Sequence, residues 1–191
     1  MAQAGRRPGP GTTREAILAS AGRLFAERGL RATTMRAIAA DAGVNAATIH
    51  HFFGTKDDLF LAALSMPLNP ADVIGPVVAA GPRSEVGDRI VRFFVRTWRD
   101  PETGQPLQAM LRSAVATDQG SALVRHFAED VMVPRLTAAL GVSEARIAAA
   151  VSQLLGFALV AVIFGVEPLA GATEDEIAGL IGPQIQRYLD A

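Results

Sequence analysis

Residues 147–166 contain only two polar side chains, Ser152 and Gln153. A run so close to the ~20 apolar residues that span a bilayer can avoid water in two ways: in a membrane, or as a helix covered on nearly every side. Its composition favours the covered helix. Much of it is Ala and Gly, no Trp or Tyr flanks it, Glu144 and Arg146 precede it, and Glu167-Pro168 closes it. The chain is therefore expected to build a core around this helix, with no membrane partner.

There is material for such a core. Of the 191 residues 50% are hydrophobic and 19% charged, which excludes disorder and leaves room for one or two domains. The absence of cysteine excludes a disulfide framework, a thiolate zinc site and a cysteine nucleophile, so a cytoplasmic protein is expected. Residues 1–11 hold two arginines among Gly and Pro and lack the apolar run of a signal peptide; they are expected to be a flexible arm. The net charge of -1 hides an asymmetry: residues 1–65 carry 8 basic and 5 acidic side chains, residues 66–191 carry 10 and 14. A focused basic face is thus open to the first part only.

Good helix formers recur at three- and four-residue spacing and alternating Val/Ile/Thr strands are missing, so the fold class is all-α, with about nine helices. Thr12 and Glu15 read as a capping box opening a first helix that Gly29 stops. A second begins behind Thr34 and ends at Gly43, a third covers about 45–53, and a fourth follows Thr55 from Lys56. Six Pro or Gly residues between Pro67 and Pro82 mark a connector. This divides the chain into a first helical domain at 12–65, a connector at 66–83 with a short helical turn at 72–74, and a larger helical domain at 84–191. Helices are expected at 84–99, 106–116, 121–140, 143–165 and 173–189, with Pro134 and Pro183 interrupting or kinking theirs.

Two short helices joined by a tight glycine turn, each with a one-sided apolar face, make a helix-turn-helix at 34–53. With Ile49 inward and ~100° per residue, Phe52 and Phe53 fall beside it, Ala47 and His51 point away, and Thr48 and His50 flank them. On the preceding helix Ile38 inward sends Arg36 outward. The outward set of Arg36, Ala47, Thr48, His50 and His51 contains no acid and can approach phosphates closely. The adjacent histidines diverge on the helix with no Cys, Asp or Glu in register, so neither a metal nor a cofactor is expected. No Ser-His-Asp spacing, HExxH or glycine-rich phosphate loop argues for an enzyme.

The run TMRAIAADAGVNAATIHHFFGTKDDLF, from Thr34 to Phe60, resembles the DNA-binding domain of the TetR family of transcriptional regulators, and the match extends over about 13–63. The resemblance implies that Arg36, Asn45, Ala46, Ala47 and Thr48 lie near base edges or the DNA backbone, with Thr34 and Lys56 anchoring phosphates. His50 stands where the family most often has Tyr, which would make a phosphate contact there pH-dependent. The bland reading of Phe52 and Phe53 is core.

The second half resembles, through its segment Met110–Ala114, its Glu167-Pro168-Leu169-Ala170 turn and its Gln186-Arg187-Tyr188-Leu189 ending, the ligand-binding and dimerisation domain of an actinobacterial branch of that family. This implies a homodimeric, ligand-responsive repressor on a pseudo-palindromic operator of double-stranded DNA, with an unknown small, largely apolar effector. Candidate pocket residues are Phe93, Phe94, Trp98, Met110, Leu111, Phe127, Val131 and Met132, with Arg112 or His126 for a polar contact; ordinary core packing accounts for the same positions. The last two long helices of each subunit would form the dimer interface, through Gly156, Leu159, Val160, Ile177, Ile181, Ile185 and Tyr188.

Overall fold

The computed structural model describes residues 10–66 and 70–190, so the arm expected at 1–11 lies almost wholly outside the described residues. Among the described residues all regular structure is helical. Helix α1 (Pro10–Ala32) begins ahead of the Thr12 cap read from the sequence and is broken at Gly29, whose φ of 76° only glycine adopts without strain. The carbonyls left at its end are met by the buried Thr33, which donates to Leu24 and Gly29 at 3.1 and 2.8 Å.

Helices α2 (Met35–Asp41), α3 (Ala46–Phe53) and α4 (Lys56–Ala63) each start at a side-chain cap. Thr34 accepts from Ala37 N at 3.1 Å, Asn45 accepts from Ala47 N at 2.9 Å, and Thr55 closes a reciprocal box with Asp58. Their inner faces bury Ile38, Ile49, Leu59 and Phe60 against Ile17, Ala21 and Phe25 of α1.

The connector is more ordered than its Pro and Gly content predicts. It holds a helix, α5 (Pro70–Ala79), with Pro76 inside it, because Ile74, Val77 and Val78 pack on the second core. A 3-10 turn (Arg83–Glu85) leads into α6 (Val86–Arg99). Helix α7 (Pro101–Ala116) starts at the first of its two prolines, because Asp100 caps it by accepting from Glu102 N and Thr103 N at 3.0 and 2.9 Å. The expected 121–140 helix is α8 (Asp118–Phe127), a π turn (Ala128–Met132) and α9 (Val133–Leu140). Pro134 thus falls at the interruption, whereas α11 (Glu174–Leu189) runs unbroken through Pro183.

Helix α10 (Glu144–Phe157), continued by a π turn (Ala158–Ile163), is the apolar run. By length and composition it could cross a membrane; 33% of its most apolar stretch is buried within the chain, short of the cover on nearly every side expected from the sequence. Helices α6, α9, α10 and α11 enclose the second core. Helices α6 and α11 cross so closely that a Cβ on Gly87 would sit 2.5 Å from the Gly182 carbonyl. Arg92 and Arg96 tie the same pair together through Glu174, with Arg92 also reaching Asp88 and Asp175. The first core does not stop at the connector: Leu123 and Phe127 of α8 and Val131 of the π turn complete it.

Candidate nucleic-acid interface and interior cavity

The caps on α2 and α3 hold the helix-turn-helix so that its outer face is the one the apolar pattern requires. Ile49 is fully buried; Arg36, Asn45, Ala47, His50 and His51 are exposed, and Ala46 and Thr48 half-buried. His50 donates from Nδ1 to the Gly54 carbonyl at 2.8 Å. A carbonyl only accepts, so this bond fixes the tautomer and leaves Nε2 as the free ring atom. Phe52 and Phe53 pack on the first core, as core residues should, and the Arg14 guanidinium lies 5.3 Å over the Phe53 ring. That contact between the first turns of α1 and the end of α3 brings a cation to the recognition helix, and no spacing in the sequence signals it.

The carboxylates nearby are occupied. Asp41 pairs with Arg23, Asp57 with Arg135 at 2.6 Å, and Asp58 with the Thr55 hydroxyl and amide. The bonds from Thr55 hold the Asp58 carboxyl below the usual carboxylate range. The two residues expected to anchor phosphates are partly engaged within the fold. Thr34 uses an oxygen lone pair in its cap and keeps a hydroxyl hydrogen to donate. Lys56 directs Nζ to Leu30 O and Thr33 O, at 2.8 and 3.1 Å, and retains one ammonium hydrogen.

Beneath this domain lies a cavity of ≈ 230 Å³. Phe93, Phe94, Trp98, Met110, Leu111, Phe127 and Met132 line it, as their periodicity allows, with Met66 beyond α4 and Val124 of α8 toward the first core and Leu140, Ile147 and Leu189 at the other end. Three expected positions are elsewhere. Arg112 is exposed and reaches Gln108 at 3.4 Å; His126 turns to Asp130 at 3.8 Å; Val131 is buried in the first core. Helical periodicity identifies an apolar side but does not say which of two cores it faces. Among the described residues no charged side chain lines the cavity, and the polar one there, Thr97, donates its hydroxyl to Phe93 O at 2.8 Å.

Residues 84–189 match the family described as Tetracyclin repressor-like, C-terminal domain, more than half of the chain, and residues 17–63 match bacterial regulatory proteins, tetR family. The chain belongs to the TetR family. TetR-family regulators are DNA-binding transcription factors and not enzymes. Similar curated proteins include the HTH-type transcriptional regulator BetI of Rhizobium meliloti, 36% identical over 93 residues that cover 47% of this chain and 46% of BetI. The HTH-type transcriptional repressor KstR2 of Mycolicibacterium smegmatis is 40% identical over 50 residues, 26% of this chain and 24% of its own. The chain thus spans less than half the length of the curated relatives it matches. Among solved structures, a TetR-family regulator of Streptomyces coelicolor A3 is 33% identical over 98% of this chain and 100% of its own, with a TM-score of 0.48.

In this TetR chain the residues expected at a subunit interface fall into two groups. Ile177 and Ile185 are fully buried inside the protomer, because the apolar stripe of α11 faces α6 at the close Gly87–Gly182 crossing; they are core residues. Gly156 is exposed with open space before it, and Leu159, Val160, Ile181 and Tyr188 are half-buried. Leu180 of α11, Phe164 beyond the π turn and Val166 are all exposed.

Proposed function

We propose that the chain is a homodimeric transcriptional repressor that is released from a pseudo-palindromic operator by a small, uncharged, largely apolar effector. The observation that carries this is the pairing of two features on one shared core: an outward α3 face free of acids and an apolar cavity that reaches the same core. In this reading Asn45, Ala46, Ala47 and Thr48 approach base edges, Ala46 and Ala47 by close contact with a thymine methyl or the backbone. Arg36, Thr34, Lys56 and the Nε2 side of His50 address phosphates, with His51 beside them.

The exposed Leu180 of α11, the open Gly156 of α10, and Phe164 and Val166 beyond the π turn support a second copy as the cover for this face. Two-fold symmetry then spaces the α3 helices for major grooves about 34–36 Å apart. Because a charged ligand would lose its hydration against walls whose described residues offer no counter-charge, the cavity favours a neutral molecule. Such a ligand lowers DNA affinity by as much as it prefers the unbound arrangement of the dimer.

The test is a DNA selection from the source genome, followed by operator affinity with and without candidate neutral ligands. Enrichment of a palindromic site and its loss on ligand addition is the expected result; failure to retain any DNA at low salt overturns the reading.

A further inference from the structure

Resting on that reading, we infer that Phe127 and the π turn after it couple cavity occupancy to the helix-turn-helix, because they line the cavity and fill the first core at once. Phe127 is 3% exposed, lines the cavity, and belongs to the first core, where its ring centroid lies 6.3 Å from that of Phe60; Phe60 in turn meets Phe25 edge-on at 4.8 Å. The next turn repeats the arrangement. Ala128 and Met132 face the cavity, whereas Val131 between them is buried in the DNA-binding core. An i→i+5 turn is a rare register, held here by packing on both sides.

The same helical run grips the domain at two further points. Asp130 pairs with Arg31 at 3.3 Å at the end of α1, where Gly29 approaches so closely that a Cβ would lie 3.0 Å from His126 Nδ1. Arg135 pairs with Asp57 in the first turn of α4. A ligand that displaces Phe127 or Met132 therefore cannot do so without moving side chains packed under α1 and α4, since close-packed interiors pass displacement on. Met66, beyond the end of α4, also touches the cavity and offers a rival route.

The experiment uses N-phenyl-1-naphthylamine, a neutral apolar fluorophore, as the probe. Trp98, the one tryptophan of the chain, lines the cavity, so quenching of its emission reads occupancy. DNA affinity is measured on a duplex enriched from a random pool by the wild type, with and without saturating probe. In the wild type the probe weakens DNA binding about tenfold. Phe127→Leu, measured at probe concentrations that saturate its own Trp98 quenching, shows less than about threefold coupling, whereas Met66→Leu treated in the same way keeps it. Undiminished coupling in Phe127→Leu, or loss of coupling in Met66→Leu alone, overturns the relay and leaves the effector reading standing. Failure of the probe to quench Trp98, or occupancy without any change in wild-type DNA affinity, overturns the effector reading and the relay together. Should Phe127→Leu not fold, amide hydrogen exchange of the wild type decides: probe binding must alter protection at Phe25, Arg31 and Phe60, and change confined to residues around Trp98 overturns the proposal.

Discussion

The ammonium of Lys56 donates to the Leu30 carbonyl at 2.8 Å, joining the start of α4 to the end of α1. With the second bond to Thr33 O it places a positive charge on the carbonyl end of a helix, where the dipole favours it. Lys56→Met should therefore cost about 1.5 kcal/mol and lower the melting temperature by about 3–6 °C, as followed by circular dichroism. An unchanged melting curve would assign the lysine to DNA alone.

Arg36 gives the opposite outcome. Its side chain is exposed on α2 and packs on no core, so Arg36→Ala should leave the melting temperature where it is. It should reduce the slope of log affinity against log salt by about 0.9, the contribution of one phosphate contact.

The α6–α11 crossing is sensitive to a single methyl group. Gly87→Ala puts a carbon against the Gly182 carbonyl and the Gln186 amide, both backbone, and should destabilise the protein by about 1–3 kcal/mol in urea unfolding. Gly156→Ala, on the open side of α10, should cost the isolated protomer nothing by the same measurement.

Leu180→Arg tests what covers the outer face. Placing a charge on an exposed position of α11 should shift sedimentation from dimer to monomer while helix content is kept. A variant still dimeric at micromolar concentration would put the interface elsewhere.

Acid should loosen the fold through its caps. The carboxyls of Asp58, Asp100, Glu174 and Glu176 all lie below their ordinary values: the first through the Thr55 hydroxyl, the second through the Thr103 amide, the third through Arg96 and the fourth through the Thr173 amide. Groups with depressed folded values add stability that is present above their unfolded values and disappears as pH falls through the folded ones. Melting temperature should hold from about pH 7 to about pH 5 and then decline, and Glu174→Gln should flatten the decline.

The starts of α2 and α4 were legible in the sequence because a cap is local chemistry: Thr34 and Thr55 each sit within three residues of the amide they satisfy. The orientation of α3 was legible for a similar reason, since one buried Ile49 fixes every other direction on a short helix. Helix α5 was not, because its prolines and glycine disfavour a helix locally and only packing of Ile74, Val77 and Val78 overrides them. Val131 and Ile177 were recognised as apolar but assigned to the wrong neighbour, the cavity and a partner subunit. Which surface an apolar side chain meets depends on residues far away in sequence, and the Arg14–Phe53 and Arg135–Asp57 contacts are invisible for the same reason.

Leu123, Phe127 and Val131 fill the underside of α1 and α4 from beyond the connector. For anyone building chimeric sensors, residues 12–65 are consequently not a transplantable cartridge. Grafted onto a foreign scaffold, they would carry an open apolar groove in need of three matching side chains, so the natural cut for exchange lies after residue 132 on one side, with the sensing wall travelling alongside the reading head.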